Sequence, residues 1–240
     1  MPDTLTEEEV KKYHEDGYLL LENFLSEEEA DNLKKAMHDY LEKCKENPVE
    51  TFDASLNGDV AKHTEYFLTS HDKIRFFYEK DALDANGALK VDIHSALNKV
   101  GHYLHSDLPA FQAVTFSPKV KGVCKDLGFV RPAICQSMYI FKPAKIGGAV
   151  HAHQDASYLW TEPKQKLIGV WIALEDTTKD NGCLSFIPGS HKNGLLNGRR
   201  LVRNEENNGV LYRGDPPSNP VEEFIPACIK KGSAIVIDAF

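Results

Sequence analysis

Two apolar runs rich in β-branched and aromatic residues place the strongest constraint on how this 240-residue chain can fold. They lie at residues 134–141 and 167–174, and the segment between them opens with a turn-rich stretch at 142–148. The two runs therefore predict neighbouring strands of an antiparallel sheet. His153 and Asp155 lie in the connection between these strands.

His153 and Asp155 have the spacing of two metal ligands. Side chains at i and i+2 of an extended segment share a face, so one ion can contact both. A ferrous ion that must also bind a chelating co-substrate and O2 needs a short protein ligand set of this kind. One alternative is a hydrogen-bonded pair on a loop, without metal. A second is a His-x-His pair of His151 with His153, which is disfavoured because Ser157 and Tyr158 occupy the positions where that pattern requires a glutamate.

Five short motifs occur in a fixed order around this pair. They are residues 136–142, 153–159, 169–176, 181–184 and 187–191. The series resembles the phytanoyl-CoA dioxygenase family of Fe(II)/2-oxoglutarate oxygenases, and the resemblance begins at Tyr13 and runs almost to the end of the chain. It implies a double-stranded β-helix, or jelly roll, that is mainly β with α-helices packed outside. It also implies one domain spanning residues 1–240.

The resemblance further implies a ligand set and a reaction. His153 and Asp155 match the iron ligands of the family. The residues that match those around 2-oxoglutarate are Lys99, Met138, His153, Gln154, Asp155 and Trp171. A cation suits a dianionic co-substrate, and a rigid indole ring can wall its pocket. Without the resemblance, Lys99 would be read as a surface lysine, and Met138 and Trp171 as core residues.

The implied reaction converts 2-oxoglutarate and O2 to succinate and CO2 and oxidises, by hydroxylation, a small-molecule substrate that the sequence does not identify. The alternative is a catalytically inactive binding or regulatory protein that keeps the fold.

The family also has a second histidine ligand on a late strand, followed by an arginine that pairs with the co-substrate. Aligned through residues 231–237, that histidine would fall just past Phe240. We expect a C-terminally truncated part of an active enzyme, possessing the jelly roll without its last strands; a complete short form is the alternative.

Two groups of basic side chains in the C-terminal part match no site residue of the family; His191 in particular is of a metal-ligating type, but the family does not use it as a ligand. His191 follows a predicted strand at 183–187 and is interpreted as a turn-stabilising residue. Arg199, Arg200 and Arg203 could meet a phosphate or carboxylate group, and the alternative is a solvated strand face.

Capping signals predict the N-terminal elements. Thr6 with Glu9, and Ser26 with Glu29, form capping boxes that each predict the start of a helix. The apolar run at 18–21 between these helices predicts a buried strand.

Later elements are predicted from periodicity and turn residues. Residues 74–78 and 89–91 predict a hairpin around an Asn-Gly turn at 84–87, and residues 95–105 predict a helix that carries Lys99. The remaining predictions are a loop or lid at 47–64, a helix at 116–127, a long insert loop at 193–220, and final strands at 224–228 and 234–237.

Composition excludes several classes of protein. The net charge of −8 argues against general binding to nucleic acid or to anionic membranes. No apolar run approaches the roughly 20 residues that span a bilayer. Five cysteines without a Cys-x-x-Cys pair, and an acidic N-terminus without an apolar signal region, favour an intracellular, cytoplasmic setting. The sequence does not indicate an oligomeric state.

Overall fold

The computed structural model describes residues 4–44, 50–51, 65–161, 166–204, 209–215 and 223–240. In these ranges the α-helices are α1 Glu7–Asp16, α2 Glu27–Lys43, α3 Glu65–Leu68, α4 Ile93–Ala96, α5 Leu104–Asp107, α6 Pro109–Thr115 and α7 Pro118–Asp126. The strands are β1 Tyr18–Leu21, β2 Ile74–Tyr78, β3 Leu97–His102, β4 Ser137–Ile140, β5 Ile168–Ile172, β6 Leu184–Phe186, β7 Arg200–Arg203, β8 Val210–Arg213, β9 Ile225–Ala227 and β10 Ala234–Asp238. None of the described helices is both long enough and apolar enough to cross a bilayer.

The two N-terminal helices begin where the capping boxes predict. The hydroxyl of Thr6 accepts a hydrogen bond from the backbone N–H of Glu9, and the Glu9 carboxylate accepts one from the Thr6 backbone. Ser26 and Glu29 make the same reciprocal pair at α2. Each pair satisfies two N–H groups that a helix start leaves without an intrahelical partner. The local sequence therefore sets both helix starts.

The first sheet is antiparallel, with strand order β1-β10-β5. In its register Leu20 pairs with Ile235, which pairs with Trp171. One face packs against buried residues of α1, α2 and α7. The other face, which carries Ile235 and Trp171, packs against residues of the antiparallel pair β6–β9. This sheet therefore has a helix-covered side and a side that faces further strands.

The second sheet is also antiparallel, with strand order β2-β3-β4. The predicted helix at 95–105 is wrong, because its centre is β3, between the one-turn helices α4 and α5. The predicted hairpin is wrong in its second strand: β2 pairs with β3, and 89–91 contributes only a single bridge from Leu89 to Leu83. The turn at 84–87 is present, closed by a hydrogen bond from the N–H of Gly87 to the carbonyl oxygen of Asp84.

The predicted insert loop contains an additional hairpin. Strands β7 and β8 pair antiparallel, with Arg200 opposite Arg213 and Leu201 opposite Tyr212. The prediction of a long insert loop at 193–220 is therefore wrong for these two strands. The predicted loop or lid at 47–64 lies outside the described residues, except for positions 50 and 51. The helix predicted at 116–127 is present as α7.

Candidate metal centre

The segment that carries His153 and Asp155 is fixed by backbone hydrogen bonds to the first sheet. Gln154 between them has extended backbone angles, φ −112° and ψ 131°, and Asp155 begins a 3-10 turn. The N–H of Ala156 donates to the carbonyl oxygen of Ala239 at 2.8 Å. The N–H of Ala239 in turn donates to the carbonyl oxygen of Leu167. The ends of β5 and β10 therefore hold the segment in place.

The two candidate ligands lie side by side. The Nε2 atom of His153 is 3.2 Å from the Oδ1 atom of Asp155, and 41 % of each side chain is exposed. The Nδ1 atom of His153 is 2.8 Å from the carbonyl oxygen of His151. Because a carbonyl oxygen can only accept, Nδ1 carries the hydrogen, and a neutral ring then has its lone pair on Nε2. Without a metal, the hydrogen bond to Asp155 raises the pKa of His153 above its usual value.

These two donors fit one metal ion. Donors about 2.1 Å from a shared ion and at a right angle to each other lie about 3 Å apart. A histidine that binds a metal usually donates its other ring N–H to a carboxylate or a backbone carbonyl oxygen, as Nδ1 of His153 does to His151. A Cβ atom built on Gly169 would lie 3.6 Å from Oδ2 of Asp155, so β5 passes close to the carboxylate. The described part of the chain contains no group of three His, Cys, Asp or Glu side chains that could hold a metal.

Gln154 uses its side-chain amide to bind a neighbouring loop. Its Nε2 atom donates to the carbonyl oxygen of Gly194 at 2.8 Å, and its Oε1 atom accepts from the N–H of Leu196 at 2.8 Å. The residue predicted to border the co-substrate therefore also connects the ligand segment to the loop that precedes the hairpin β7–β8.

Lys99 is buried rather than solvated, with 9 % of its surface exposed. Its Nζ atom lies 5.5 Å from the ring centre of Phe77 and 5.9 Å from that of Phe67, within the range of cation–π attraction. Burial lowers the pKa of Lys99 to about 7, because the low-dielectric surroundings disfavour the charged form. A dianionic ligand beside this lysine would favour its protonated form.

Met138 lies on the strand next to Lys99. It stands opposite Gly101, two residues beyond Lys99 on β3, while Ile140 stands opposite Lys99. Met138 and Ile140 are large apolar side chains that remain exposed, at 38 % and 46 %. The predicted residues thus fall into two groups. Lys99 and Met138 share the second sheet, whereas Trp171 lies on the first sheet, to whose end the segment 153–155 is joined by hydrogen bonds.

Three residues near Lys99 were not identified from the sequence. Phe67 and Phe77 flank the ammonium group, and His102 contacts both rings. The Nδ1 atom of His102 is 2.8 Å from the hydroxyl of Ser70. Burial, together with the charge of Lys99, lowers the pKa of His102 to about 4. The sequence prediction of a helix at 95–105 concealed this cluster, because Phe77 comes close to Lys99 and His102 only when β2 pairs with β3.

His191 is held against the N-terminal helix. Its Nε2 atom is 3.2 Å from the carbonyl oxygen of His14, and its ring lies against Gly17, the residue that ends α1. The structure thus gives His191 a packing role at the turn after β6, in line with its interpretation as a turn-stabilising residue.

Solved structures define the class of fold. The structure of EctD from S. alaskensis with 2-oxoglutarate and 5-hydroxyectoine matches with a TM-score of 0.62 at 18 % identity, covering all of this chain and 70 % of that one. The non-heme alpha ketoglutarate dependent carbocyclase SnoK matches with a TM-score of 0.60 at 17 % identity, covering 98 % of this chain and 75 % of that one. The expected jelly roll with packed helices is confirmed.

Sequence comparison defines the family. The profile described as phytanoyl-CoA dioxygenase (PhyH) matches residues 13–239. Phytanoyl-CoA dioxygenase domain-containing protein 1 of Danio rerio is 44 % identical, over 98 % of this chain and 82 % of that protein. A phytanoyl-CoA dioxygenase of Arabidopsis thaliana is 42 % identical, over 98 % of this chain and 80 % of that protein. The chain belongs to the phytanoyl-CoA dioxygenase family.

Proposed function

We propose that this chain is an Fe(II)- and 2-oxoglutarate-dependent dioxygenase that oxidises a small-molecule substrate. The observation that carries the proposal is the pairing of His153 Nε2 with Asp155 Oδ1 at 3.2 Å, with Nδ1 held by the His151 carbonyl oxygen. Support also comes from the family and from fold relatives solved with 2-oxoglutarate or with bound Fe. The net charge of −8 favours a small molecule over nucleic acid as the partner.

Each residue has a defined part in this proposal. His153 and Asp155 would hold the iron, with the imidazole oriented by its bond to the His151 carbonyl oxygen. Lys99 would bind a carboxylate of 2-oxoglutarate, since a buried ammonium gains most from an opposite charge nearby. Met138 and Trp171 would supply apolar walls that limit access of water.

Bound iron with 2-oxoglutarate supplies the oxidising chemistry that turns O2 and the oxo acid into succinate, CO2 and an oxidised substrate. The chain contributes geometry. Its segment 151–155 keeps the imidazole and the carboxylate on one side of the backbone, through the extended conformation of Gln154 and the turn at Asp155. With both donors on one side of the backbone, an ion held there would keep room for the co-substrate.

A binding or regulatory protein with the same fold is the second candidate. It is favoured by one observation: the described residues contain no group of three His, Cys, Asp or Glu side chains that could hold a metal ion. Two protein donors would hold iron more weakly than three. Release of succinate from 2-oxoglutarate, measured with the folded chain, supports the dioxygenase, and its absence with intact iron binding supports the second candidate.

The direct test is an anaerobic titration with Fe(II) followed by 2-oxoglutarate, monitored by the weak visible charge-transfer band of the chelate. We expect His153→Ala and Asp155→Ala to weaken iron binding by about 100-fold or more, since each removes one of two protein donors.

His151→Ala is the matched control, because it removes an imidazole two residues away and retains the backbone carbonyl that His153 contacts. It should bind iron as the parent chain does. The assignment is wrong if all three variants bind iron equally, or if His151→Ala alone loses it.

A further inference from the structure

Two arginines face each other across the hairpin that lies beside the candidate metal centre. Arg200 of β7 and Arg213 of β8 are direct partners in the antiparallel register, so their side chains project from the same face. Like charges placed directly opposite each other on a sheet are destabilising. An arrangement of this kind requires a compensating anion or a high degree of solvation.

No carboxylate provides that compensation in the part of the chain that the structure describes. Neither Arg200 nor Arg213 forms an ion pair among the described residues. The Nε atom of Arg200 is also buried and lacks a hydrogen-bond partner there. A buried donor on a charged group is costly to leave unpaired. Full solvation therefore does not account for Arg200, although Arg213 is exposed.

Arg200 is held in one orientation by an aromatic ring. Its Cζ atom lies 3.8 Å from the ring centre of Trp160, and Trp160 packs edge-on against Phe240. A guanidinium stacked on a ring still presents its N–H edge, which matches the two oxygens of a carboxylate or phosphate. The stacking thus pre-organises an anion-binding group.

The hairpin is connected to the candidate ligands through several contacts. Strand β7 contacts the turn that begins at Asp155. The Trp160 ring on which Arg200 stacks lies five residues after Asp155, and it packs against Phe240, the neighbour of the residue whose carbonyl oxygen accepts the N–H of Ala156. The two hydrogen bonds of Gln154 to residues 194 and 196 hold the start of this insert. A group bound by Arg200 would therefore belong to a molecule that lies beside the metal centre.

We propose that Arg200 and Arg213 bind an anionic group, a carboxylate or a phosphate, of the primary substrate. The inference rests on the proposed function, since it places that substrate beside the metal centre. It defines the substrate as an anion whose charged group lies at the hairpin while another part reaches the iron.

The test is calorimetric titration of the 240-residue chain with inorganic phosphate and, separately, with butyrate; the two probes distinguish the two sources of anionic oxygen. We expect saturable binding of at least one probe. Arg200→Gln and Arg213→Gln should each weaken it by about tenfold or more, since each removes one charge-assisted hydrogen-bonding group.

Arg203→Gln is the matched control: it lies on the same strand and is exposed, but it is an odd number of positions from Arg200 and so faces the other side. It should leave binding unchanged. Thermal unfolding shows whether each variant is folded, and the bound probe should raise the Tm of the parent chain and not that of Arg200→Gln. Equal loss in Arg203→Gln, or no saturable binding of either probe to the parent, overturns the inference.

Titration of the same variants with Fe(II) and 2-oxoglutarate separates this inference from the proposed function. Arg200→Gln should keep both affinities. If it loses 2-oxoglutarate binding, the arginines serve the co-substrate and the inference is wrong, while the proposed function stands. If the parent chain fails to bind iron, the proposed function fails, and the metal-free anion titrations still report on the arginines.

Discussion

The Nε2 atom of Gln154 donates a hydrogen bond of 2.8 Å to the carbonyl oxygen of Gly194, across 40 positions of the chain. The same amide accepts a bond from the N–H of Leu196, so it satisfies two backbone groups of one loop. The residue between the candidate iron ligands is therefore also the anchor of the arginine-bearing insert. This relationship makes the geometry of the insert depend on the ligand segment.

Gln154→Leu should destabilise the fold by about 1–3 kcal/mol, because it leaves the carbonyl oxygen of Gly194 and the N–H of Leu196 without partners. Urea unfolding measures the loss. Gln112→Leu, at an exposed position of α6, is the control and should change stability by less than about 0.5 kcal/mol. Equal stability of the two variants would show that the amide does not anchor the insert.

Local signals explain why the N-terminal third of the fold could be predicted. Capping boxes act within four residues, so Thr6 and Ser26 mark their helices without tertiary information. Strand β3 lacks such a signal. All six of its residues are buried, so the alternation that marks a half-exposed strand is missing, and the spacing of Leu97, Val100 and Leu104 imitates a helix.

The candidate site, like the fold, could be predicted from the sequence only where local rules determine it. The positions of His153 and Asp155 follow from a local rule, that i and i+2 share a face in an extended segment. The surroundings of Lys99 do not, because Phe67 and Phe77 reach it through the pairing of β2 with β3. Pairing partners distant in sequence depend on the whole fold. Metal and co-substrate binding by these residues stays a prediction.

Gly17→Ala should destabilise the chain well beyond the effect of its backbone angle. Gly17 has φ +82°, and an added Cβ atom would overlap the ring of His191. Gly87 has nearly the same angle, φ +80°, with no atom within 4 Å of the corresponding position. We expect Gly87→Ala to cost about 1–2 kcal/mol from strain alone, and Gly17→Ala to cost about 1–3 kcal/mol more.

Urea unfolding of the two glycine variants measures this difference. The double variant Gly17→Ala/His191→Ala should recover part of it, because the ring that the new methyl group meets is gone. Equal destabilisation by Gly17→Ala and Gly87→Ala would show that the ring of His191 moves aside without a measurable loss of stability.

Lys99→Met should stabilise the ligand-free chain in a pH-dependent way. Burial lowers the pKa of Lys99 from 10.5 to about 7, so folding disfavours the charged form. The resulting penalty is fully present below pH 7, declines as the pH rises from 7 to 10.5, and is absent above 10.5. The gain is at most about 5 kcal/mol at the acidic end.

Urea unfolding of the parent chain and of Lys99→Met, at about pH 6.5 and about pH 9.5, measures how the stability gain changes with pH. Lys121→Met, at an exposed position on α7, is the control, and its stability relative to the parent chain should not depend on pH in this range. A gain in the Lys99 variant that is larger at pH 9.5 than at pH 6.5 would contradict the predicted sign.

Binding of 2-oxoglutarate should take up a proton near pH 8. In the free chain Lys99 is mostly neutral at this pH, since its pKa is about 7, and a bound carboxylate raises that pKa by favouring the ammonium form. His102 beside it does not take up the proton, because burial and the charge of Lys99 hold its pKa at about 4.

Calorimetry in buffers of different ionisation enthalpy measures the uptake. We expect close to one proton for the parent chain and none for Lys99→Met, whose residual affinity is weaker because the charge is lost. Equal uptake in both would show that another group accepts the proton, and that Lys99 does not contact the co-substrate.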